Sequence, residues 1–262
     1  MDSQRSRLTL IESAVQHDRA VLLVLVAISL AAWAWIVVMA RDMYGTMRGA
    51  SAWMMTSTWD APHLLLLWAM WAVMMTAMMV PTAAPLILLY AATARKQDET
   101  GSPAWRIYAL AAGYLAVWSL FSGFATAVQR LLAAALVVTP MMEAASARVS
   151  TSILAIAGLY QLTPWKNACL RSCRSPLGFM VQRSYTGASG AFRLGVQHGG
   201  YCLGCCWALM LILFAGGVMN LLVIAALTLW VLVEKIAPFG ERTPIVSGIV
   251  LLIAAAWMIA MA

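Results

Sequence analysis

The sequence predicts an all-α fold, a polytopic bundle of about seven transmembrane helices (six to eight). Three observations predict it. Hydrophobic side chains make up 63% of the 262 residues and charged ones only 10%, a balance far from that of a water-soluble domain. Runs without Asp, Glu, Lys or Arg recur along the chain, each about as long as a hydrocarbon core of about 30 Å requires at about 1.5 Å per helical residue. The 14 Arg and 3 Lys that give a net charge of +7 crowd alternate connecting segments, the distribution of a multi-spanning protein.

The elements follow in chain order. Residues 1–19, with Arg5, Arg7, Asp18 and Arg19, read as a polar cytoplasmic segment. The run 20–40 reads as a retained helix, because it is too long for a signal peptide and leads into Arg41 and Asp42 rather than a small-residue cleavage site. The run 61–94 holds Pro81 and Pro85, which lack an amide donor, and predicts a long helix kinked near Met79. The third run, 107–129, has room to continue past Arg130 to Val138, with Pro140 ending it. The fourth, 149–165, is the shortest at 17 residues. The 40 uncharged residues 194–233 exceed one crossing, and Gly216-Gly217 marks the break between two. The run 243–262 is the last helix. Residues 20–262 read as one domain with a Cys-bearing cytoplasmic loop at 161–193.

Counting bases by side orients the bundle. Arg5, Arg7, Arg19, Arg95, Lys96, Arg106, Lys166, Arg171, Arg174, Arg183, Arg193, Lys235 and Arg242 make 13 on the side of the N-terminus, against Arg41, Arg48, Arg130 and Arg148, which make 4 on the other. The N-terminus is therefore expected in the cytoplasm and the C-terminus outside. These bases do not cluster on a polar surface, which excludes nucleic-acid binding; the surrounding partner is the lipid bilayer.

Soft donors mark the candidate site. All five Cys fall between positions 169 and 206, unlike a secreted disulfide framework. In the stretch from His198 to Met210, four-residue spacing puts His198, Cys202, Cys206 and Met210 on one helical stripe, with Cys205 beside it. Three thiols and an imidazole within nine residues favour metal ligation, although Cys as a small hydrophobe, Met as filler and a satisfied His are the ordinary occupants of such a helix. Gly195, Gly199, Gly200 and Gly204 supply two GxxxG spacings that let another backbone approach.

Upstream, Cys169 and Cys173 lie four apart after Pro164. On a short helix they can share one soft ion, and Lys166, Arg171 and Arg174 are expected to lower their pKa; alternatively these cations are headgroup anchors. A third feature is the stripe of Met70, Met74 and Met78 with Met75 and Met79 on the adjacent row. Met stripes are more often core, yet thioether, thiolate and imidazole together suit Cu(I), with zinc as the alternative ion. The metal candidates are thus Cys169, Cys173, His198, Cys202, Cys205, Cys206, Met210, Met74 and Met78.

These same segments carry a resemblance. Met78-Met79-Val80-Pro81-Thr82-Ala83-Ala84-Pro85, the stretch from Tyr160 through Cys169, Cys173, Arg174, Ser175 and Pro176, and Gly200-Tyr201-Cys202-Leu203-Gly204-Cys205-Cys206-Trp207 are among them. So are Met210, the run 217–221 and Glu234-Lys235. On these residues the chain resembles, over about 60–240, the bacterial integral membrane proteins of domain-of-unknown-function family 2182, described as predicted metal-binding proteins. The resemblance implies a metal-associated protein of the bacterial inner membrane, sometimes described as copper-related.

The leading function is binding of Cu(I) for transport, storage or delivery to a cuproenzyme or metal-chaperone partner. No Walker-type phosphate loop is present, so no primary pump is expected. One alternative is a thiol-disulfide oxidoreductase using Cys202 and Cys205 with Cys169 and Cys173; a further one is a structural subunit of a membrane complex. Glu234 beside Lys235 reads as an interfacial ion pair or last-turn anchor, and Glu143 lies in a short outer loop, without acid/base partners. Hydrolase motifs are missing. Asn220 reads as a cap after the glycine break or a cross-bundle hydrogen bond.

Overall fold

A computed structural model describes residues 19–45, 52, 54, 60–97, 104–139, 142–183, 186–236 and 242–261. The polar segment 1–18 and Pro140 lie outside these residues. The described chain is all-α: α1 (Arg19–Met43), α2 (Ala61–Gln97), α3 (Ala104–Ala134), α4 (Ala147–Gln161), α5 (Pro164–Arg174), α6 (Pro176–Val181), α7 (Gly187–Met210), α8 (Ile212–Gly216), α9 (Leu221–Ile236) and α10 (Arg242–Ala260).

Five helical stretches are long and apolar enough to cross a membrane, judged by length and composition: α1, most of α2, α3, α7 with α8, and α10. Helices α4 and α9 also cover apolar runs, but their 15 and 16 residues span only about 22–24 Å. The fourth run is shorter than its apolar composition implies because Thr163-Pro164 divides it. Pro164 lacks the amide that would continue α4, and it disfavours helical geometry at the residue before it. Thr163 is accordingly extended (φ −74°, ψ 147°), and its hydroxyl accepts from the Lys166 amide to start α5. Trp165 therefore belongs to α5.

The other boundaries also have local causes. Helix α3 stops at Ala134, short of Val138, where Leu136 takes φ 57°. Gly217 breaks the long run at φ 92°, a left-handed value that costs glycine little. Asn220 then caps α9, its side-chain oxygen accepting from the amides of Leu222 and Val223.

Helices α3 and α7 form the tightest pair. A Cβ on Gly113 would strike the Phe192 carbonyl, and one on Gly195 the Leu110 carbonyl. Gly199 faces Val117 and Tyr114, whereas Gly200 has open space. The first GxxxG spacing is thus a packing seam. Helix α2 packs on α3, α1 on α2, and α10 on α4.

Contacts gather the connecting segments into two groups. Tyr44, after α1, donates to Glu143, between α3 and α4, and Glu143 also borders Gly217 before α9. In the other group Arg174 of α5 bonds the Glu234 carbonyl at the end of α9 and Thr243 at the start of α10.

Candidate metal centre

Helix α7 carries three of the five thiols, and α5 lies along it to bring the other two. Cys202, Cys205 and Cys206 are buried, and Cys169 and Cys173 are half-buried; all five are free. Gly204 makes the approach close, since a Cβ there would lie 2.8 Å from Cys169 Sγ. One turn further along α5, Cys173 Sγ lies 3.9 Å from Cys205 Sγ. The loop thiols and the helix thiols are therefore one cluster.

Within α7 the thiols of Cys205 and Cys206 both donate to the Cys202 carbonyl at 3.0 Å, the back-bonding that a helix offers a small polar side chain. Cys202 Sγ also has partners on other helices. It receives Lys235 Nζ at 2.7 Å and meets Tyr114 OH at 3.1 Å. Tyr114 also donates to the Met79 carbonyl, and Lys235 to Thr82 Oγ1 at 3.0 Å. The residues that join the Met-rich α2 to the thiols are thus Thr82 and the Met79 backbone.

His198 sits one turn before Cys202, 3% exposed. The rings of Tyr114 and Phe179 lie 5.9 and 5.2 Å from its own, and its Nδ1 is buried with no hydrogen-bond partner. A polar atom in that state costs about 1–3 kcal/mol. Met210, at the end of α7, and Met74 and Met78 are buried in the same core.

Basic residues on α5 do not act as expected. Lys166 is fully buried, its Nζ 2.6 Å from Glu234 Oε2, and Arg174 is held by the Glu234 carbonyl at 2.6 Å. Lys166 is therefore no headgroup anchor, and Glu234 is not paired with its neighbour Lys235. Gln161, Trp230 and Ser247 complete the shell of Glu234. With Lys166 committed there, burial and the Cys205 sulfur push the Cys169 thiol up, Lys166 only opposing. Hydrogen bonds to Cys202 and Cys205, with burial, hold Cys173 well above the usual thiol range. Both shifts are opposite to the expectation of activated thiolates.

Lys235, Tyr114 and Thr82 are the site residues that sequence reasoning missed. The signal for Lys235 was a lysine closing a long apolar run; reading it as a last-turn anchor concealed its inward reach.

Among the described residues no group of three or more His, Cys, Asp or Glu side chains is placed to hold a metal ion as it stands. The Cys173–Cys205 pair can supply two sulfur ligands of a larger set. Two sulfurs at about 2.3 Å from a shared ion stand about 3.8–4.0 Å apart at tetrahedral or trigonal angles, which brackets the Cys173–Cys205 separation. Structural Zn(II) sites almost always need four ligands.

The model of the PpoB2 family, described as a copper chaperone, matches residues 68–258. That stretch contains α3 to α9 and every candidate ligand. No curated protein and no solved structure matches the chain.

Proposed function

The chain belongs to the PpoB2 family of copper chaperones, and on that premise we propose that it is a membrane-embedded carrier that takes Cu(I) between α5 and α7 and hands it to a cuproenzyme. The observation that carries this reading is the 3.9 Å approach of Cys173 to Cys205 across two helices, with Cys202 and Cys206 within a turn. Thiolates select Cu(I) over hard ions, and Glu234, the buried carboxylate among the described residues nearby, is already paired. His198 supplies a further donor through its unpartnered Nδ1. Cys169, against Gly204 at the half-buried side, is the first thiol that an arriving ion meets.

The membrane part rests on the five long apolar helices and the base count of 13 against 4. The helices support membrane insertion, and the count, which takes α4 and α9 as crossings too, supports a cytoplasmic N-terminus. The two groups of contacts agree with this orientation, Tyr44, Glu143 and Gly217 on the outer side and Arg174, Glu234 and Thr243 on the cytoplasmic side. The Cys-bearing α5 then faces the cytoplasm, where thiols stay reduced. Delivery is preferred to pumping because the chain has no phosphate loop.

The test is elemental analysis of detergent-purified protein after anaerobic loading with Cu(I) or Zn(II). Native protein should retain stoichiometric copper, and C202S/C205S/C206S and C173S should lose it. If folded native protein retains neither ion, the copper reading fails. Alkylation before and after reduction would then decide whether the Cys173–Cys205 pair serves thiol-disulfide exchange instead.

A further inference from the structure

Cys202 is the thiol of the cluster that faces a fixed cation. Lys235 Nζ donates to its sulfur at 2.7 Å and to Thr82 Oγ1 at 3.0 Å, and the residue is only 8% exposed. The adjacent Glu234 carboxylate is occupied by Lys166, Gln161, Trp230 and Ser247, so its charge is spent on the other side of α9. Lys235 is also held in place. Thr82 ties its tip to α2, and Arg174 bonds the backbone carbonyl of the preceding residue at 2.6 Å.

We propose that Lys235 sets the charge selectivity of this site, admitting a monovalent soft ion and rejecting a divalent one. The inference rests on the copper reading of the thiol cluster and adds what makes that cluster discriminate. Repulsion between a resident ammonium and an arriving ion scales with the charge of the ion. At a few ångström and an effective dielectric of about 20, each added unit of charge changes binding by well over tenfold. Thiol softness alone admits Zn(II) as well as Cu(I), so the cation adds a charge-based discrimination to that of coordination number.

The test is anaerobic competition against metal chelators with the full chain in detergent, for Cu(I), Ag(I) and Zn(II). In K235M the affinity for Zn(II) relative to Cu(I) should rise at least tenfold. The ratio of Ag(I) to Cu(I) should stay as in the native protein, because both ions carry one charge, and K235R should keep both native ratios. K235Q, which retains a hydrogen-bonding tip near Thr82, carries the same expectation as K235M should the methionine variant not fold. An unmoved Zn(II) to Cu(I) ratio in folded variants overturns the proposal. So does a parallel loss of all three ions, the signature of a purely structural lysine. Native protein that binds no Cu(I) overturns the underlying copper reading, and that result is visible before any variant is made.

Discussion

Lys166 Nζ lies 2.6 Å from Glu234 Oε2 with both side chains withdrawn from solvent, and this pair fastens α5 to the helix whose next residue, Lys235, reaches Cys202. One buried ion pair therefore fixes α5, with its two thiols, against the helix that carries Lys235. Removing one partner leaves a buried charge uncompensated, at a cost of about 3–5 kcal/mol. K166M and E234Q should each lower the thermal midpoint in detergent and expose Cys169 and Cys173 to alkylation. The double variant K166M/E234L should regain most of the midpoint. A single variant as stable as native would mean that the pair contributes nothing.

Two glycines on α7 separate packing from propensity. Gly195 abuts the Leu110 carbonyl, and backbone cannot step aside as a side chain can. G195A should destabilise by about 1–3 kcal/mol through overpacking. Gly200, with nothing within 4 Å of its Cβ position, should accept alanine and gain up to about 1 kcal/mol of helix propensity. Thermal unfolding of the two variants side by side checks the seam; equal effects would refute it.

Why some of this was legible in the sequence and some was not has a physical basis. Helix-breaking chemistry is local, so Gly216-Gly217 and the start of α5 after Pro164 could be read from neighbouring residues. The cap by Asn220 belongs to the same class. The stripe from His198 to Cys206 was legible because helical periodicity alone places it. Long-range pairing was not. Lys166 and Glu234 are 68 positions apart, and nothing local distinguishes a lysine that snorkels to a headgroup from one that turns inward. The same ambiguity concealed Lys235 and inverted the expected pKa shifts of Cys169 and Cys173. The length of α4 was misjudged because apolar composition continues through the Thr163-Pro164 corner.

The thiols of α5 should be sluggish nucleophiles in the empty protein. Hydrogen bonding with the sulfurs of Cys202 and Cys205 favours the neutral form of Cys173, and burial raises Cys169. For an acid whose pKa is raised, the thiolate fraction at a given pH falls below that of a free thiol. Alkylation rates should accordingly keep rising beyond the pH at which a free thiol levels off. In C202S/C205S the Cys173 profile should move back toward lower pH. A native profile at or below that of free cysteine would contradict the hydrogen-bond assignment.

His198 offers the sharpest separation of binding from stability. Its Nδ1 is buried without a partner between the rings of Tyr114 and Phe179. Phenylalanine at this position would preserve ring packing and remove an unsatisfied polar atom worth about 1–3 kcal/mol. H198F without metal should therefore be at least as stable as the native protein, since a group kept only for packing would not leave a polar atom stranded. Its affinity for Cu(I) should nonetheless fall about tenfold or more through the loss of one donor, and the copper-induced rise in thermal midpoint should shrink in proportion. Measuring unfolding with and without Cu(I) reads both effects in one experiment. Higher empty-state stability with unchanged copper affinity would make His198 a packing residue and leave the thiols alone as ligands. Lower empty-state stability would mean that the imidazole has a structural partner in the native state.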